Sequence, residues 1–443
     1  MTEQKNVAEC CSGFLFLNIF KTFRIAIQPG RFLTVFLALA VIFVVGWLMD
    51  FSKTVVVSGK LTPRELRSST LTGSVTWPTE LHCFVSDSQR VDDFIKRYKG
   101  TAGGQGVFKV WSNFCLTRFN QAAASVVVLN FGNFVISVTE CVAACIWALK
   151  YHTVYSIIFL LIALAFVSAA GGAICRGAAL QFSKDERPGI IQCLRFALKK
   201  FISFFLAPLA PVILIAIFGL GIFLLGLITN IPWAGELIMA LFIIVVLVAG
   251  LLMTFAIIGL GAGINLMFGA IAYENSDAFD AVSRSFSYVY AKPWRLAFYT
   301  LLAAVYGSIS YLFVRFFAFV LLGISRWFMS LGIWTSGNKA QQLNKLVAIW
   351  PKPEFFNLLG SGLEVSKNAT ESIAAFVVHL AVLVVAGLVI AFAVSFYFSA
   401  STIIYCLLRN KVDNTALDNV FIEAEQTGQT VQLGQTQSSE LPE

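Results

Sequence analysis

Apolar residues run along this chain for much longer than a soluble helix or strand requires. The first run is 32–49 (FLTVFLALAVIFVVGWLM), and others follow at 154–174, 204–228, 237–272, 296–322 and 374–407. About 20 mainly apolar residues cross the hydrocarbon of a bilayer as a helix, so each run is predicted to span a membrane. The fourth and sixth exceed that length and must tilt, break or extend beyond the bilayer. One further segment, 122–149, is apolar enough to cross but contains Asn130, Asn133 and Glu140. As a separate crossing it makes seven spans; lying in the interface or re-entering, it leaves six. Six agrees with the charge pattern below, and a seventh with an outside N-terminus stays open.

A second pattern recurs ahead of three of these runs. FRIAIQPGRF (23–32), CLRFALKKFISFF (193–205) and AVSRSFSYVYAKPWR (281–295) each mix apolar and aromatic residues at roughly helical spacing with Arg or Lys. Pro29, Pro208 and Pro293 fall near the turn into, or along, the span that follows. Such a segment can lie in the headgroup plane and then bend into the bilayer. Arg24, Arg31, Arg195, Lys199, Lys200, Arg284, Lys292 and Arg295 would meet anionic phosphates while the rings anchor the interface. Ordinary positive flanks would look similar, but the recurrence favours three helical hairpins, each led by an amphipathic elbow helix.

The polar stretches divide the rest. Residues 1–31 read as a cytoplasmic N-terminus with an interfacial helix, and 32–51 as the first transmembrane helix. Residues 52–118 read as a small extracytoplasmic insertion, with short strands at 54–57 and 74–77 and a short helix at 90–97. A loosely ordered loop fits the same composition. Residues 119–407 read as the polytopic helical domain, and 408–443 as a cytoplasmic tail, disordered beyond about 423, where Gln, Thr and Glu replace any apolar period. The polar loop 325–372 carries Asn368-Ala-Thr370, a triplet that matches a glycosylation acceptor and that also arises by chance.

Composition sharpens this reading. Of 443 residues, 58% are hydrophobic and 13% charged, with mean hydropathy +0.79, against nearer half apolar and a quarter charged in soluble domains. The 42 Phe residues are too many bulky rings for one water-surrounded core. The net charge of +8 would suggest nucleic acid in a soluble protein. Here the cations flank apolar runs, so the positive-inside bias and anionic lipid explain them, and no nucleic-acid partner is expected. Arg176, Lys184, Arg187, Arg195, Lys199 and Lys200 lie in one loop against only Asp185 and Glu186. That places the loop, both termini and the 284–295 loop in the cytoplasm.

Visible chemistry is sparse. His82, His152 and His379 lie on separate segments with no ligand spacing, so neither a zinc site nor any cofactor is expected. Gly259, Gly261 and Gly263 superficially match a dinucleotide loop, but no strand precedes them, and helix packing or a helix break fits better. Among the nine cysteines, Cys83 and Cys115 fall in the polar insertion and could pair in an oxidising compartment. The remaining candidates form an intramembrane polar set of Arg315, Asn265, Glu140 and His379. Charge in hydrocarbon is costly unless paired or hydrated. Arg315 could snorkel to the interface or be buried in an ion pair, with Glu140 and Glu236 as candidate partners. Asn265 could hydrogen-bond an unwound backbone or mark an inert kink.

Gly171-Gly-Ala-Ile-Cys-Arg176 with 178–181 (AALQ), 276–290 (SDAFDAVSRSFSYVY) with 292–295 (KPWR), and 398–409 (FSASTIIYCLLR) with 411–413 (KVD) resemble a family of uncharacterised bacterial polytopic inner-membrane proteins. More distantly, they are similar to the membrane domains fused to some glycerophosphodiester phosphodiesterases. The resemblance covers roughly 170–420. It implies a bacterial inner-membrane setting and carries over no activity and no functional residue. The phosphodiesterase barrel with its acidic and histidine set has no counterpart here.

The expected fold is therefore an all-α integral membrane protein of about six transmembrane helices, arranged as three hairpins with elbow helices and a small insertion. The expected function is non-enzymatic: an organising or accessory role in the envelope, with membrane lipids, envelope proteins or a second copy of the chain as partners. The alternative is a transporter or channel for a small or lipid-like anionic substrate. An intramembrane lipid-modifying enzyme is the weaker third reading, because no cluster of titratable groups is visible.

Overall fold

In hydrocarbon a long apolar segment can satisfy its own backbone N–H and C=O groups only as a helix. The computed structural model, which describes residues 15–51, 55–57, 79–98, 105–231, 234–333, 345–360 and 369–421, is accordingly almost wholly helical. A 3-10 helix at Leu15–Lys21 leads into α1 (Thr22–Ala26) and α2 (Pro29–Met49). The insertion contributes β1 (Val55–Val56), α3 (Glu80–Ser86), α4 (Val91–Tyr98) and β2 (Gln105–Gly106). Then come α5 (Val107–Val127), α6 (Phe131–Tyr151), α7 (Thr153–Lys184), α8 (Ile190–Lys199), α9 (Phe201–Ile228) and α10 (Ala234–Glu274). The chain continues through α11 (Ala278–Ala291), α12 (Pro293–Gly332), α13 (Lys345–Ile349) and α14 (Ala369–Val412).

The six predicted spans are α2, α7, α9, α10, α12 and α14, each longer than its apolar run; with α6 they make seven helices long and apolar enough to cross a membrane. They pack as the three expected hairpins, α2 with α7, α9 with α10, and α12 with α14. The 325–372 loop begins later than expected, because α12 runs on to Gly332. Asn368 and the strand expected at 74–77 lie outside the described residues. The other expected strand is β1, which pairs antiparallel with β2.

Residues 122–149 are not one helix. The chain turns between α5 and α6, where Leu129 takes a left-handed φ of 57°, and Asn130 caps α6 by accepting from the Asn133 N–H at 3.1 Å. The boundary placed at 118/119 therefore falls inside α5. Both ends of the α5–α6 hairpin return to one residue. Asp50, directly after α2, accepts from the Phe108 and Lys109 N–H groups at 2.9 and 3.0 Å and from the Tyr155 hydroxyl near the start of α7 at 2.9 Å. The chain enters and leaves the hairpin at the same point, so the hairpin adds either no crossing or two. A lone crossing by α6, which an odd total requires, is incompatible with that closure.

Each elbow is a separate short helix followed by a bend. Gln28 is extended between α1 and α2, and Lys292 breaks α11 from α12. Pro29 and Pro293 occupy the first helical position, where the missing N–H is harmless. The second elbow differs: α8 bends into α9 at Lys200, and Pro208 lies within α9 beside Pro211. The elbow α8 buries Cys193, Phe196 and Ala197, while Ile191 and Leu198 on its other side stay exposed.

The core lies at the elbow end, where α7, α10 and α14 meet. Small residues let the helices approach: a Cβ on Gly171 would lie 2.7 Å from the Phe398 ring, and one on Gly172 would lie 2.8 Å from Phe204. Helix α10 runs unbroken through Gly259 and Gly263, which admit Phe286 and Val289 of α11. Packing, and not a break, therefore explains those glycines. The ends are tied by cations: Arg31 Nη2 donates to the Gly177 carbonyl at 2.7 Å. Arg176 donates to the carbonyls of Ala272 and Phe421, each at 2.8 Å. The N-terminal segment, the basic 185–200 loop, the α10–α11 turn and the tail thus share one end of the molecule. Residues 413–421, the start of the expected tail, pack back onto that end, where the Phe421 N–H donates to the Tyr273 carbonyl at 2.9 Å.

Replacing Arg176 by Met removes both donors, leaves the buried Ala272 carbonyl without one at a loss of about 1–3 kcal/mol, and releases the Phe421 carbonyl. A lower melting temperature in detergent, together with faster tryptic cleavage after Arg409 and Lys411, is the expected outcome. Unchanged protection of the tail would show that Arg176 is not its tie.

Candidate functional site

Helix α12 places Tyr311 and Arg315 one turn apart on the same face, and α5 presents Asn120 to both. Arg315 is only 5% exposed, so it does not snorkel. Its Nε donates to the Phe355 carbonyl at 2.7 Å, and its Nη1 donates to Asn120 Oδ1 at 2.9 Å and to the Tyr311 hydroxyl at 2.8 Å. The Tyr311 hydroxyl in turn donates to Asn120 Oδ1 at 2.6 Å. The guanidinium lies 5.9 Å from the ring centres of Tyr311, Phe355 and Phe356, an added electrostatic stabilisation. The alternative of an ion pair with Glu140 or Glu236 is not found either: neutral oxygens and ring faces take its place.

Glu140 instead pairs with Arg118, Nε to Oε2 at 2.8 Å. The pair sits in a cleft of about 640 Å³ between α5 and α6, whose polar lining includes Asn120, Gln121, Asn133 and Ser137. Asn120 thus joins two of the expected residues, since it lines the cleft and also receives Arg315. Asn265 and His379 lie apart from them. Asn265 Oδ1 accepts from the Tyr397 hydroxyl between α10 and α14, within an unbroken helix, so the unwound backbone is not found. His379 lines a separate cavity of about 450 Å³ with Trp350, Pro351, Leu359, Phe376 and Val382. The four candidates do not converge on one pathway.

At the elbow end the basic residues divide by role. Arg24, Arg195, Lys199 and Arg295 are exposed, and Trp294 beside Arg295 is 87% exposed. Lys292 is half-buried at its bend, and Lys200 reaches Asp277 at 3.3 Å. Arg31 and Arg284 are not free for headgroups. Arg31 is buried against the Ile25 and Gly177 carbonyls, because Gly177 offers no side chain to fend it off. Arg284 pairs with Glu274 and Asp280. Burial alone would lower its pKa, but the hydrogen bond it donates to Asp280 and the charges of Glu274 and Asp280 outweigh it, and the pKa rises. Glu274 is shared, also accepting from Arg409 at 2.9 Å and from the Tyr405 hydroxyl at 2.7 Å.

In the insertion, Glu80 Oε1 meets His152 Nε2 at 2.9 Å and its Oε2 accepts from the Val57 N–H at 3.3 Å, stapling the insertion to the start of α7. His82 Nδ1 lies 2.8 Å from the Thr79 hydroxyl, and its ring stands edge-on to Phe114. Burial, and secondarily the Arg118 charge, push the His82 pKa below its ordinary value. The pairing left open for Cys83 and Cys115 does not form, and both are free thiols. Cys83 is buried with Val91 and Phe94, while Cys115 faces Cys141 across the hairpin. Among the described residues no cluster of His, Cys, Asp or Glu could hold a metal ion.

Asn120, Tyr311 and Arg118 were not singled out from the sequence. The Tyr311–Arg315 spacing was a usable signal, but nothing local points to Asn120, 195 positions from Arg315. Comparison of the chain with known protein families, with curated proteins and with solved structures gives no match.

Two outcomes test this geometry. Arg315→Met and Asn120→Leu should be non-additive, with a coupling of about 1–3 kcal/mol in a double-mutant cycle read by unfolding in detergent; additivity would dissolve the network. A histidine with a lowered folded pKa favours the neutral form. Its stabilisation is full above the unfolded value, about 6.5, and is lost as pH falls through the folded pKa. His82→Gln should therefore flatten part of the acid-side loss of melting temperature seen in the unaltered protein.

Proposed function

We propose that this chain is a non-enzymatic multi-pass membrane protein that organises or assists other components of a bacterial envelope. The observation that carries the reading is the use made of its buried cations. Arg31, Arg176 and Arg315 each donate to backbone carbonyls that join separate parts of the chain, so they act as ties within the bundle. The exposed elbow cations Arg24, Arg195, Lys199 and Arg295, with Trp294, suit an anionic headgroup layer. Their clustering with the basic loop and the tail at one end supports a cytoplasmic location for that end. The α9–α10 hairpin exposes apolar side chains such as Ile217, Phe223, Leu241 and Leu247, a surface suited to lipid and to the helices of an envelope partner or a second copy.

Transport of an anionic substrate is favoured by one observation, the burial of Arg315 beside a polar cleft. The two readings separate experimentally. Photo-crosslinkers at Ile217 and Leu247 in native membranes should give a discrete protein adduct, and proteoliposome uptake of small anions should be the same for the unaltered protein and Arg315→Leu. Uptake that Arg315→Leu abolishes, with no adduct formed, would replace the organising role by transport.

A further inference from the structure

The α5–α6 cleft is not needed by the organising role, and its chemistry is unusual for a helical hairpin. It holds one cation and one anion side by side. Arg118 and Glu140 are each about a quarter exposed, at 27% and 22%. Glu140 Oε2 lies 2.8 Å from Arg118 Nε and is itself shielded from water, so the exposed part of each side chain is what the cleft presents. Arg118 directs Nη1 to Gln121 Oε1 instead, at 2.8 Å, and lays its guanidinium 5.0 Å from the Phe114 ring centre. Gln121 and Phe114 thus hold the pair in place on the Arg118 side.

The rest of the lining extends this. Asn133 and Ser137 line the α6 wall, Asn120 and Gln121 the α5 wall, and Phe356 supplies an apolar side. A volume of about 640 Å³ lies within the roughly 300–1,000 Å³ of small-molecule sites. A simple anion entering would meet Glu140, and a simple cation would meet Arg118. An occupant with both charges compensates each side chain at once. The outer surface of the hairpin is of opposite character: Val128, Leu129, Phe131, Val135 and Val142 are exposed around the cleft, and α6 has the length and composition of a membrane helix. A polar recess framed by apolar surface suits an amphiphile, with its head inside and its chains against the hairpin.

We propose that this cleft binds the headgroup of a zwitterionic phospholipid, its phosphate on Arg118 and its primary ammonium on the exposed part of Glu140. The test uses the full chain in detergent, delipidated and titrated with phosphatidylethanolamine, phosphatidylglycerol or water-soluble glycerophosphoethanolamine, with bound lipid counted by native mass spectrometry. One phosphatidylethanolamine per chain should be retained in preference to phosphatidylglycerol, and the soluble headgroup should bind more weakly. Glu140→Gln should weaken phosphatidylethanolamine binding by about tenfold or more, the effect of losing one charge-assisted hydrogen bond, and leave phosphatidylglycerol no weaker. Ala124→Phe, which fills the cleft and keeps the ion pair, should abolish retention and guards against misfolding of Glu140→Gln. Equal retention of phosphatidylethanolamine by the unaltered protein and Ala124→Phe would overturn the site. Equal affinity for phosphatidylglycerol would overturn the zwitterion, and equal affinity for the soluble headgroup would overturn the lipid source.

Discussion

A guanidinium held between carbonyls is the interaction on which this bundle turns. In low-dielectric surroundings an uncompensated charge costs several kcal/mol, and the last carbonyls of a helix have no partners of their own within the helix. Each need meets the other where Arg176 reaches Ala272 in the last turn of α10 and where Arg31 reaches Ile25 at the end of α1. The partial negative charge at a helix C-terminus makes these carbonyls the best neutral acceptors available. Because Arg176 of α7 joins the end of α10 to the returning tail, three separate parts of the chain are registered by one side chain. Arg409 and Arg284 repeat the device with a carboxylate, Glu274, in place of a carbonyl.

That arrangement demands close approach, and the core provides it with small residues. Gly171 and Gly172 bring aromatic rings against the α7 backbone, and Ala173, Ala178 and Ala179 continue the same surface in the core. Dispersion over such flat, dense contact replaces the hydrophobic drive that lipid does not supply between helices. The α9–α10 hairpin, past its elbow end, shows the opposite choice. It is lined outward with Ile, Leu, Val and Phe and is free to be solvated by acyl chains.

The spans were legible in the sequence because nothing but hydrocarbon accommodates runs like 237–272, and the elbows because cations and rings recur at their mouths. Arg315 was legible as a cost, since a charge within YLFVRFFAF demands an account. What was not legible shares one cause: the deciding partner is far away in the chain. Whether Arg31 snorkels or is buried depends on Gly177, where a Cβ would lie 2.8 Å from its Nε. Whether Arg315 takes a carboxylate or neutral oxygens depends on Asn120 and Phe355. Helix α5 escaped because its apolar residues Val107, Val110 and Phe114 are interleaved with Lys109, Ser112 and Asn113, so no long apolar run announces it.

The return of both hairpin ends to Asp50 also explains why polar groups are concentrated at this end. A helix that crosses alone must be apolar on all sides, whereas two helices that leave and return together can turn polar faces toward each other and keep apolar faces outward. Helix α5 could therefore accept Arg118 and Asn120, and α6 could accept Ser137 and Glu140, with Gln121 and Asn133 at the exposed rim of the cleft. Asn120 then reaches past the hairpin to Arg315 and anchors it to α12. The polar interior of the hairpin and the burial of Arg315 are thus one structural solution: the hairpin brings its own acceptors to a charge that α12 could not have satisfied by itself.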